Sequence, residues 1–186
     1  MTGRILRHWS LVATFGLAIV PPCTAATTPE YRVKAAFLYK FAVYIRWPPS
    51  PAADRAPLVI GILGDDPFGT SLADVVRGQT VHGRVIHIRT LNRAEDGREC
   101  HLVFICSSER ENLGEILAVL QRAPVLTVGD MKQFAERGGM IGLTTTEDLH
   151  VRFDINQGAI ETAGLRASAQ LLQLGRIVDS REGRRR

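Results

Sequence analysis

Three short apolar runs constrain the fold of this chain more than any other feature of its sequence. They lie at residues 58–63, 101–106 and 125–128. Continuous apolar runs of this kind are typical of strands covered on both faces, as in a parallel sheet. Helix-forming segments alternate with them, at residues 31–47, 68–76, 109–121, 131–136 and 159–174. The alternation predicts an α/β fold with a mostly parallel sheet and helices on both faces.

A hairpin is predicted near the C-terminus. Strands at 140–144 and 150–154 flank residues 145–149, which have the composition of a hairpin connection. We expect this hairpin to add antiparallel strands at one edge of the sheet. A further strand is predicted at 84–89, and a polar loop at 92–99. The sequence shows no internal repeat, no low-complexity tract and no second domain.

The first 26 residues have the pattern of a secretory signal peptide. Arg4 and Arg7 precede an apolar run at 11–20, and small residues follow where a signal peptidase cleaves. The run is shorter than the roughly 20 residues that a membrane-spanning helix needs. We therefore expect cleavage after Ala25 or Ala26 and export to the periplasm.

A lipoprotein would instead carry its lipid on Cys23. The residues before it, 20–22, are Val-Pro-Pro rather than the small, Leu-led stretch that lipid attachment requires, so we favour simple cleavage. The expected organisation is a signal peptide at 1–26, a single α/β domain at 27–178 and a disordered basic tail at 179–186.

The charge balance argues against a nucleic-acid binder. Without the leader, 21 basic residues remain against 19 acidic ones, and four of the 21 are arginines among the last six residues. The body of the chain is therefore near neutral, and the pI of about 9.3 reflects the leader and the tail. Nucleic-acid-binding domains instead concentrate basic residues on one face.

Two cysteines, Cys100 and Cys106, remain after removal of the leader. An exported compartment permits a disulfide between them. However, they lie at opposite ends of one predicted strand, and a strand rises about 3.3 Å per residue, which separates them by about 20 Å. A disulfide needs Cα atoms within about 7 Å of each other. We expect both thiols to be buried and free.

The sequence contains no recognisable catalytic, metal-binding or cofactor-binding motif. Gly61, Gly64 and Gly69 lack the spacing of a dinucleotide fingerprint, and no Gly-Lys-Ser/Thr of a P-loop occurs. There is no Cys-x-x-Cys, and the histidines lack helical metal-binding spacing. His101, which opens a strand, is expected to be a hydrogen-bonded core residue. We predict that the protein is not an enzyme and has no cofactor.

A weak candidate for a ligand pocket lies where two predicted strands end. Asp65 and Asp66 follow the first strand, and Ser107 follows the central one. The carboxyl edge of an open α/β sheet is its usual functional edge. Adjacent carboxylates before Pro67 more often form a turn and cap a helix, and that is the interpretation we favour.

The first predicted helix is apolar on two sides. One side carries Phe37, Leu38, Phe41 and Ile45. The other carries Tyr39, Val43 and Trp47, with Arg32 and Arg46 at its margins. A sheet covers one side of such a helix, so the second side is either buried elsewhere in the domain or contacts a protein partner. The four charges of Arg32, Lys34, Lys40 and Arg46 exclude a membrane span.

Several segments together carry a family resemblance. They are 31–41 with Trp47-Pro48, 66–69, 100–105, 126–130, 134 with 138–141, 151–156, 164–168 and 171–174. With these segments the chain resembles the YfiR family of periplasmic regulatory proteins. They occur in the family's order and cover almost the whole chain after the leader. The match depends on this order rather than on any single segment.

The resemblance implies a repressor rather than an enzyme. YfiR-like proteins bind the periplasmic sensor part of an inner-membrane diguanylate cyclase, and an outer-membrane OmpA-like lipoprotein sequesters them. On this basis we expect a negative regulator of cyclic di-GMP signalling and biofilm formation, acting as a homodimer. Disulfide-based redox control is associated with the family. This chain departs from that pattern, because Cys100 matches but its only other cysteine after the leader is Cys106.

Two other functions remain open from the sequence. A periplasmic small-molecule receptor would place its ligand near Asp65, Asp66 and Ser107. A divergent hydrolase is a minor alternative, because catalytic triads are assembled in space rather than in sequence.

Overall fold

The computed structural model describes residues 28–49, 56–148 and 150–179. The predicted signal peptide, its cleavage site and Cys23 lie outside the described residues, as does the basic tail beyond residue 179. Those expectations stay predictions.

Short strands and helices alternate along the described chain, and most of the predicted elements are present. The strands are β1 Ile45–Arg46, β2 Leu58–Leu63, β3 Thr80–Val81, β4 Arg84–Leu91, β5 Leu102–Ile105, β6 Leu126–Gly129, β7 Ile141–Thr145, β8 Val151–Ile155, β9 Arg166–Ala167 and β10 Arg176–Ile177. The helices are α1 Pro29–Tyr44, α2 Ser71–Val76, α3 Leu113–Leu120, α4 Gln157–Thr162 and α5 Ala169–Leu174. Two 3-10 helices span Ala94–Glu99 and Ser107–Glu109.

Eight strands form one mostly parallel sheet in the order β10-β8-β7-β6-β5-β2-β4-β3. Strands β4, β2, β5, β6 and β7 are mutually parallel. The predicted hairpin of β7 and β8 lies near one edge of the sheet. Strand β7 is parallel to its neighbour β6, so β8 is the antiparallel strand of the hairpin. A small separate antiparallel pair joins β1 to β9. The predicted α/β class is confirmed.

The central strand β5 shows why helices lie on both faces of the sheet. Its side chains alternate between the faces, as in any strand. Leu102 and Phe104 join the core cluster that contains α1, whereas Val103 and Ile105 join the cluster that contains α3. All four are fully buried. A continuous apolar strand therefore requires cover on both faces, and α1 and α3 provide it.

The long C-terminal helix predicted at 159–174 is wrong. Helix α4 ends at Thr162, and Gly164 then adopts a φ of 74°, a left-handed conformation that a right-handed helix cannot continue. Strand β9 follows, and the Ser168 side chain accepts a hydrogen bond from the Leu171 N–H to start α5. Because the apolar pattern runs through both helices, it does not indicate the break between them.

Several other assignments also differ from prediction. Helix α1 ends at Tyr44 rather than at Trp47, because Ile45 and Arg46 pair with β9 as strand β1. The helix predicted at 131–136 is a series of turns, in which Gln133 has a φ of 60°. The polar loop at 92–99 contains a 3-10 helix, and α3 begins four residues later than predicted.

Helix α1 buries a charged residue that the sequence analysis did not single out. Lys34 is only 4% exposed, and its Nζ lies 2.8 Å from Oδ2 of Asp130, the residue after β6. The Tyr31 hydroxyl donates to the same oxygen at 2.7 Å. Lys34 also pairs with Glu30, which accepts a hydrogen bond from the Thr145 hydroxyl. This network ties the first turns of α1 to the carboxyl ends of β6 and β7.

Removing the lysine of this ion pair should strongly destabilise the fold. An unpaired buried charge typically costs about 3–5 kcal/mol, so we expect Lys34→Met, which removes the cation beside the buried Asp130, to lower the free energy of unfolding by about that amount. Asp130→Asn should lower it by less, because Lys34 keeps its ion pair with Glu30. The double variant should lose less than the sum of the two single losses, since neither charge is then left alone. Urea unfolding measures all three.

The matched control is Lys40→Met, which removes an exposed lysine from the same helix. Its effect on the free energy of unfolding should stay within about 0.5 kcal/mol. Additive losses in the double variant, or equal losses from Lys34→Met and Lys40→Met, would contradict the interpretation.

Candidate functional site

The carboxyl edge of the sheet carries the predicted residues Asp65, Asp66 and Ser107, and all three are exposed. Asp66 Oδ1 accepts a hydrogen bond from the Phe68 N–H at 2.7 Å, which is the turn role favoured from the sequence. The Asp65 N–H donates to the hydroxyl of Ser108 at 3.0 Å. The ligand pocket at these three residues stays a prediction.

A cavity of about 570 Å³ opens beside this edge, between the end of β2 and α3. Asp65 is among its lining residues, whereas Asp66 and Ser107 are not. The charged residues that line it are Asp65, Arg93, Glu95, Glu109 and Glu115. Four of these five are acidic, so the cavity disfavours anions.

The predicted partner-binding residues do not form one face of a helix. Tyr39 and Val43 lie on α1 and are half-buried against the domain's own core. Trp47 lies beyond the end of the helix, and its indole Nε1 donates to the His101 carbonyl at 3.1 Å. Of the predicted set, Arg32 and Arg46 are the exposed members.

The outer surface of α1 is instead a stripe of spaced apolar and basic residues. Val33, Ala36 and Lys40 are exposed together with Arg32, and Val33 is 45% exposed. Residues three and four positions apart share one side of a helix, so these side chains lie close together. A surface stripe of this kind suits contact with another chain better than the half-buried Tyr39 and Val43 do.

At the opposite, amino edge of the sheet, the structure brings together residues that the sequence analysis treated separately. Arg84 opens β4 and His101 precedes β5, so parallel pairing places both at this edge. A cavity of about 660 Å³ opens there. The polar and aromatic residues lining it include Arg46, Trp47, His82, Arg84, Arg98 and His101.

His101 is hydrogen-bonded, as predicted, but it is half-buried at the edge of the sheet rather than part of the core. Its Nδ1 accepts a hydrogen bond from the Val59 N–H at 3.1 Å, and its ring packs edge-on against Trp47. Arg84 Nη2 lies 2.8 Å from His101 Nε2. Burial first, and the charge of Arg84 second, lower the pKa of His101 to about 4. The imidazole is therefore neutral at physiological pH.

Comparison with known proteins identifies the family of this chain. The model of the YfiR/HmsC-like family matches residues 31–176, most of the chain. The chain belongs to the YfiR/HmsC-like family. The resemblance read from the sequence is thus confirmed.

Members of the YfiR/HmsC-like family are periplasmic regulators of diguanylate cyclases, and the family is a regulatory one rather than a known enzyme family. No curated protein matches the chain. A solved structure of a conserved domain protein from Vibrio cholerae is similar, with a TM-score of 0.54 and 10% identity. The match covers 79% of this chain and 59% of that one, and at this identity it shows the fold alone.

Two kinds of feature are absent from the residues that the structure describes. No helix in ranges 28–49, 56–148 and 150–179 is long and apolar enough to cross a membrane. Over the same residues, no group of three or more His, Cys, Asp or Glu side chains is arranged to hold a metal ion.

Among the described residues of this YfiR/HmsC-like chain, Cys100 and Cys106 are free and are buried on opposite faces of the sheet. Cys106 belongs to the core cluster of α1 and Cys100 to that of α3. Burial raises the pKa of Cys100 to about 11 and that of Cys106 to about 12. The thiolate is the reactive form, so both residues should be chemically inert in the folded protein.

We therefore expect neither Cys100 nor Cys106 to react with a thiol reagent until the protein is denatured, after which both react. Titration with Ellman's reagent, in buffer and in guanidinium chloride, measures the two states. A Cys100–Cys106 disulfide found by mass spectrometry in the native protein would contradict the burial of the two thiols on separate faces.

The neutral state of His101 should make the stability depend on pH. Its folded pKa of about 4 lies below the ordinary 6.5, so the unfolded chain binds a proton that the folded chain excludes. The contribution of neutral His101 to the free energy of unfolding is complete above pH 6.5, and it is lost as the pH falls from 6.5 towards 4. The difference in free energy of unfolding between wild type and His101→Asn should therefore shrink over that range.

Urea unfolding at several pH values measures this difference. The control is Thr90→Asn, which changes an exposed residue of β4 without adding or removing a titratable group. For that variant the difference from wild type should stay flat with pH. A flat difference for His101→Asn would show that His101 keeps an ordinary pKa.

Proposed function

We propose that this protein is a periplasmic negative regulator that binds the periplasmic sensor domain of an inner-membrane diguanylate cyclase and holds the enzyme inactive. Repression would lower cyclic di-GMP in the cell and limit biofilm formation. The observation that carries the proposal is the match of the YfiR/HmsC-like family model over residues 31–176.

The proposed contact surface combines the exposed stripe of α1 with the corner where the chain leaves that helix. Arg32 lies at one end of this surface and Arg46 at the other, and both are exposed. Tyr39 and Val43 lie between them along α1, and both, like Trp47, are partly accessible. Aromatic residues and arginines are enriched in the centres of protein interfaces.

Two further parts of the proposal concern assembly. The protein forms a homodimer, and an outer-membrane OmpA-like lipoprotein sequesters it and so relieves repression. Both follow from the family resemblance. A ligand pocket near Asp65 remains an alternative use of the carboxyl edge, supported by the cavity of about 570 Å³ there.

The experiment replaces the two exposed arginines of the surface by Arg32→Glu and Arg46→Glu, together in one variant. Because exposed charges contribute little to folding, its melting temperature should match that of wild type. Its capture of the cyclase from solubilised membranes should fall by about thirtyfold or more, and cyclic di-GMP should rise to the level of a deletion strain.

The control is Arg122→Glu, a charge reversal at an exposed position beyond the end of α3. It should capture the cyclase as wild type does. Co-purification of tagged and untagged copies tests the homodimer in the same preparations. Unchanged cyclic di-GMP in the deletion strain would refute the proposed function, whereas normal repression by the double variant would refute only the proposed surface.

A further inference from the structure

Strand β4 leaves one of its two edges open along most of its length. On one side it pairs with β2 from Ile86 to Leu91. On the other side lies β3, the last strand of the described sheet, and it pairs only with Arg84 and Val85. Within the described residues, the last six of the eight residues of β4 therefore have a strand on one side only.

The hairpin turn shows which backbone groups this open edge presents. Residues 82–83 form a two-residue turn, with φ values of 50° and 79°, and Arg84 pairs with Val81 across it. Residues that flank a two-residue turn exchange backbone hydrogen bonds, so the N–H and C=O of Arg84 point towards β3. Alternate residues of a strand point their backbone groups to the same side. The N–H and C=O of Ile88 and Thr90 therefore point outwards from the sheet.

The edge lacks features that usually prevent an open strand from pairing with another chain. Strand β4 contains neither proline nor lysine, and its pairing with β2 runs without a bulge. Of the five large apolar side chains that are exposed in the described chain, two belong to this strand, Val85 and Ile88. A long open edge with exposed apolar side chains is a template for the addition of a further strand.

The two faces of β4 differ in chemistry. Side chains two positions apart share a face of a strand. Ile86 and Ile88 share the face that packs against the core cluster of α1, and both line a cavity of about 370 Å³ between β4 and the end of α2. His87 and Arg89 share the other face with Leu91, which joins the core cluster of α3. A strand added beside β4 would meet an apolar groove on one face and basic side chains on the other.

Arg89 can pair with a carboxylate of an added strand. Its Nη1 donates to Glu99 at 2.8 Å, and the two side chains are 46% and 73% exposed. An exposed ion pair of this kind contributes little to stability, and a guanidinium has five N–H donors. Strand β4 contains no acidic residue. Opposite charges on neighbouring strands stabilise their pairing, so the edge favours an acidic segment.

A second copy of this chain fits the edge poorly for the same reason. Antiparallel pairing of two copies about Ile88 would set His87 of each copy opposite Arg89 of the other. Pairing of Ile88 with Thr90 would set the two copies of Arg89 opposite each other. Like charges directly opposite on neighbouring strands are destabilising.

We propose that the open edge of β4 binds an extended segment of another protein in which acidic and apolar residues alternate. The segment would add to the sheet as a further strand, with hydrogen bonds to the backbone of Ile88 and Thr90. Its apolar side chains would enter the groove beside Ile88, and its carboxylates would meet Arg89 and His87. This surface contains no residue of α1, and the proposal does not depend on the proposed function.

The test titrates the purified ¹⁵N-labelled protein with the peptide acetyl-Glu-Val-Glu-Val-Glu-Val-Glu-amide. The matched control peptide has lysine in place of every glutamate. We expect saturable binding of the acidic peptide, at least about fivefold tighter than that of the control, with slower hydrogen exchange of the Ile88 and Thr90 N–H groups in NMR spectra. No saturable binding, equal binding of both peptides, or binding without protection of these two N–H groups would overturn the proposal.

The variant Ile88→Pro tests the backbone pairing. It removes an N–H that points outwards, a position at which an edge strand tolerates proline, so the protein should keep a cooperative thermal transition. It should bind the acidic peptide about tenfold or more weakly than wild type does, because a backbone hydrogen bond is lost. The control is Arg122→Glu, a change at an exposed position outside this edge, which should bind as wild type does. Equal affinity of Ile88→Pro and wild type would refute the pairing.

The variant Arg89→Glu tests the charge preference and decides alone if Ile88→Pro fails to fold. It should reverse the order of affinity, so that the lysine peptide binds more tightly than the acidic one. An unchanged order would refute the proposal. Sedimentation of the wild-type protein without peptide tests the other occupant. A dimer whose formation protects the Ile88 and Thr90 N–H groups would identify a second copy of this chain at the edge and overturn the assignment to an acidic segment.

Discussion

The fold depends on one helix that is held at both ends. At the carboxyl edge of the sheet, the buried ion pair of Lys34 and Asp130 joins the first turns of α1 to the residue after β6. At the amino edge, Trp47 donates to the His101 carbonyl beyond the last turn. A buried charge that loses its partner strongly destabilises the folded state. Helix α1 therefore runs antiparallel to the central strands in one fixed register.

This arrangement separates two chemically different edges. The carboxyl edge carries mainly carboxylates, including Asp65 and Glu109 beside one cavity. The amino edge carries Arg84 and His101 in a cavity of the opposite sign. The proposed partner surface and the amino-edge cavity share Arg46 and Trp47, so the surface and the cavity meet at the corner where the chain leaves α1.

The central strands were predictable because burial on both faces leaves a continuous apolar run. Strand β2 spans the predicted residues, and β5 and β6 differ from prediction by one residue at each end. The C-terminal segment was not predictable from apolar periodicity, because the pattern continues through Gly164, where the backbone reverses. Of the candidate site, the hydrogen-bonded role of His101 was predicted, but its position beside Arg84 at an open edge was not.

The sequence by itself determined the alternation of elements, the sheet class, the central strands and the family, because these depend on local patterns of apolar residues and on their order. Only the tertiary structure decided where α1 ends, why Lys34 can be buried and which cations share a cavity. Each of these depends on residues far apart in the chain. Asp130 lies 96 residues from Lys34, and only the folded sheet brings its carboxylate to that lysine.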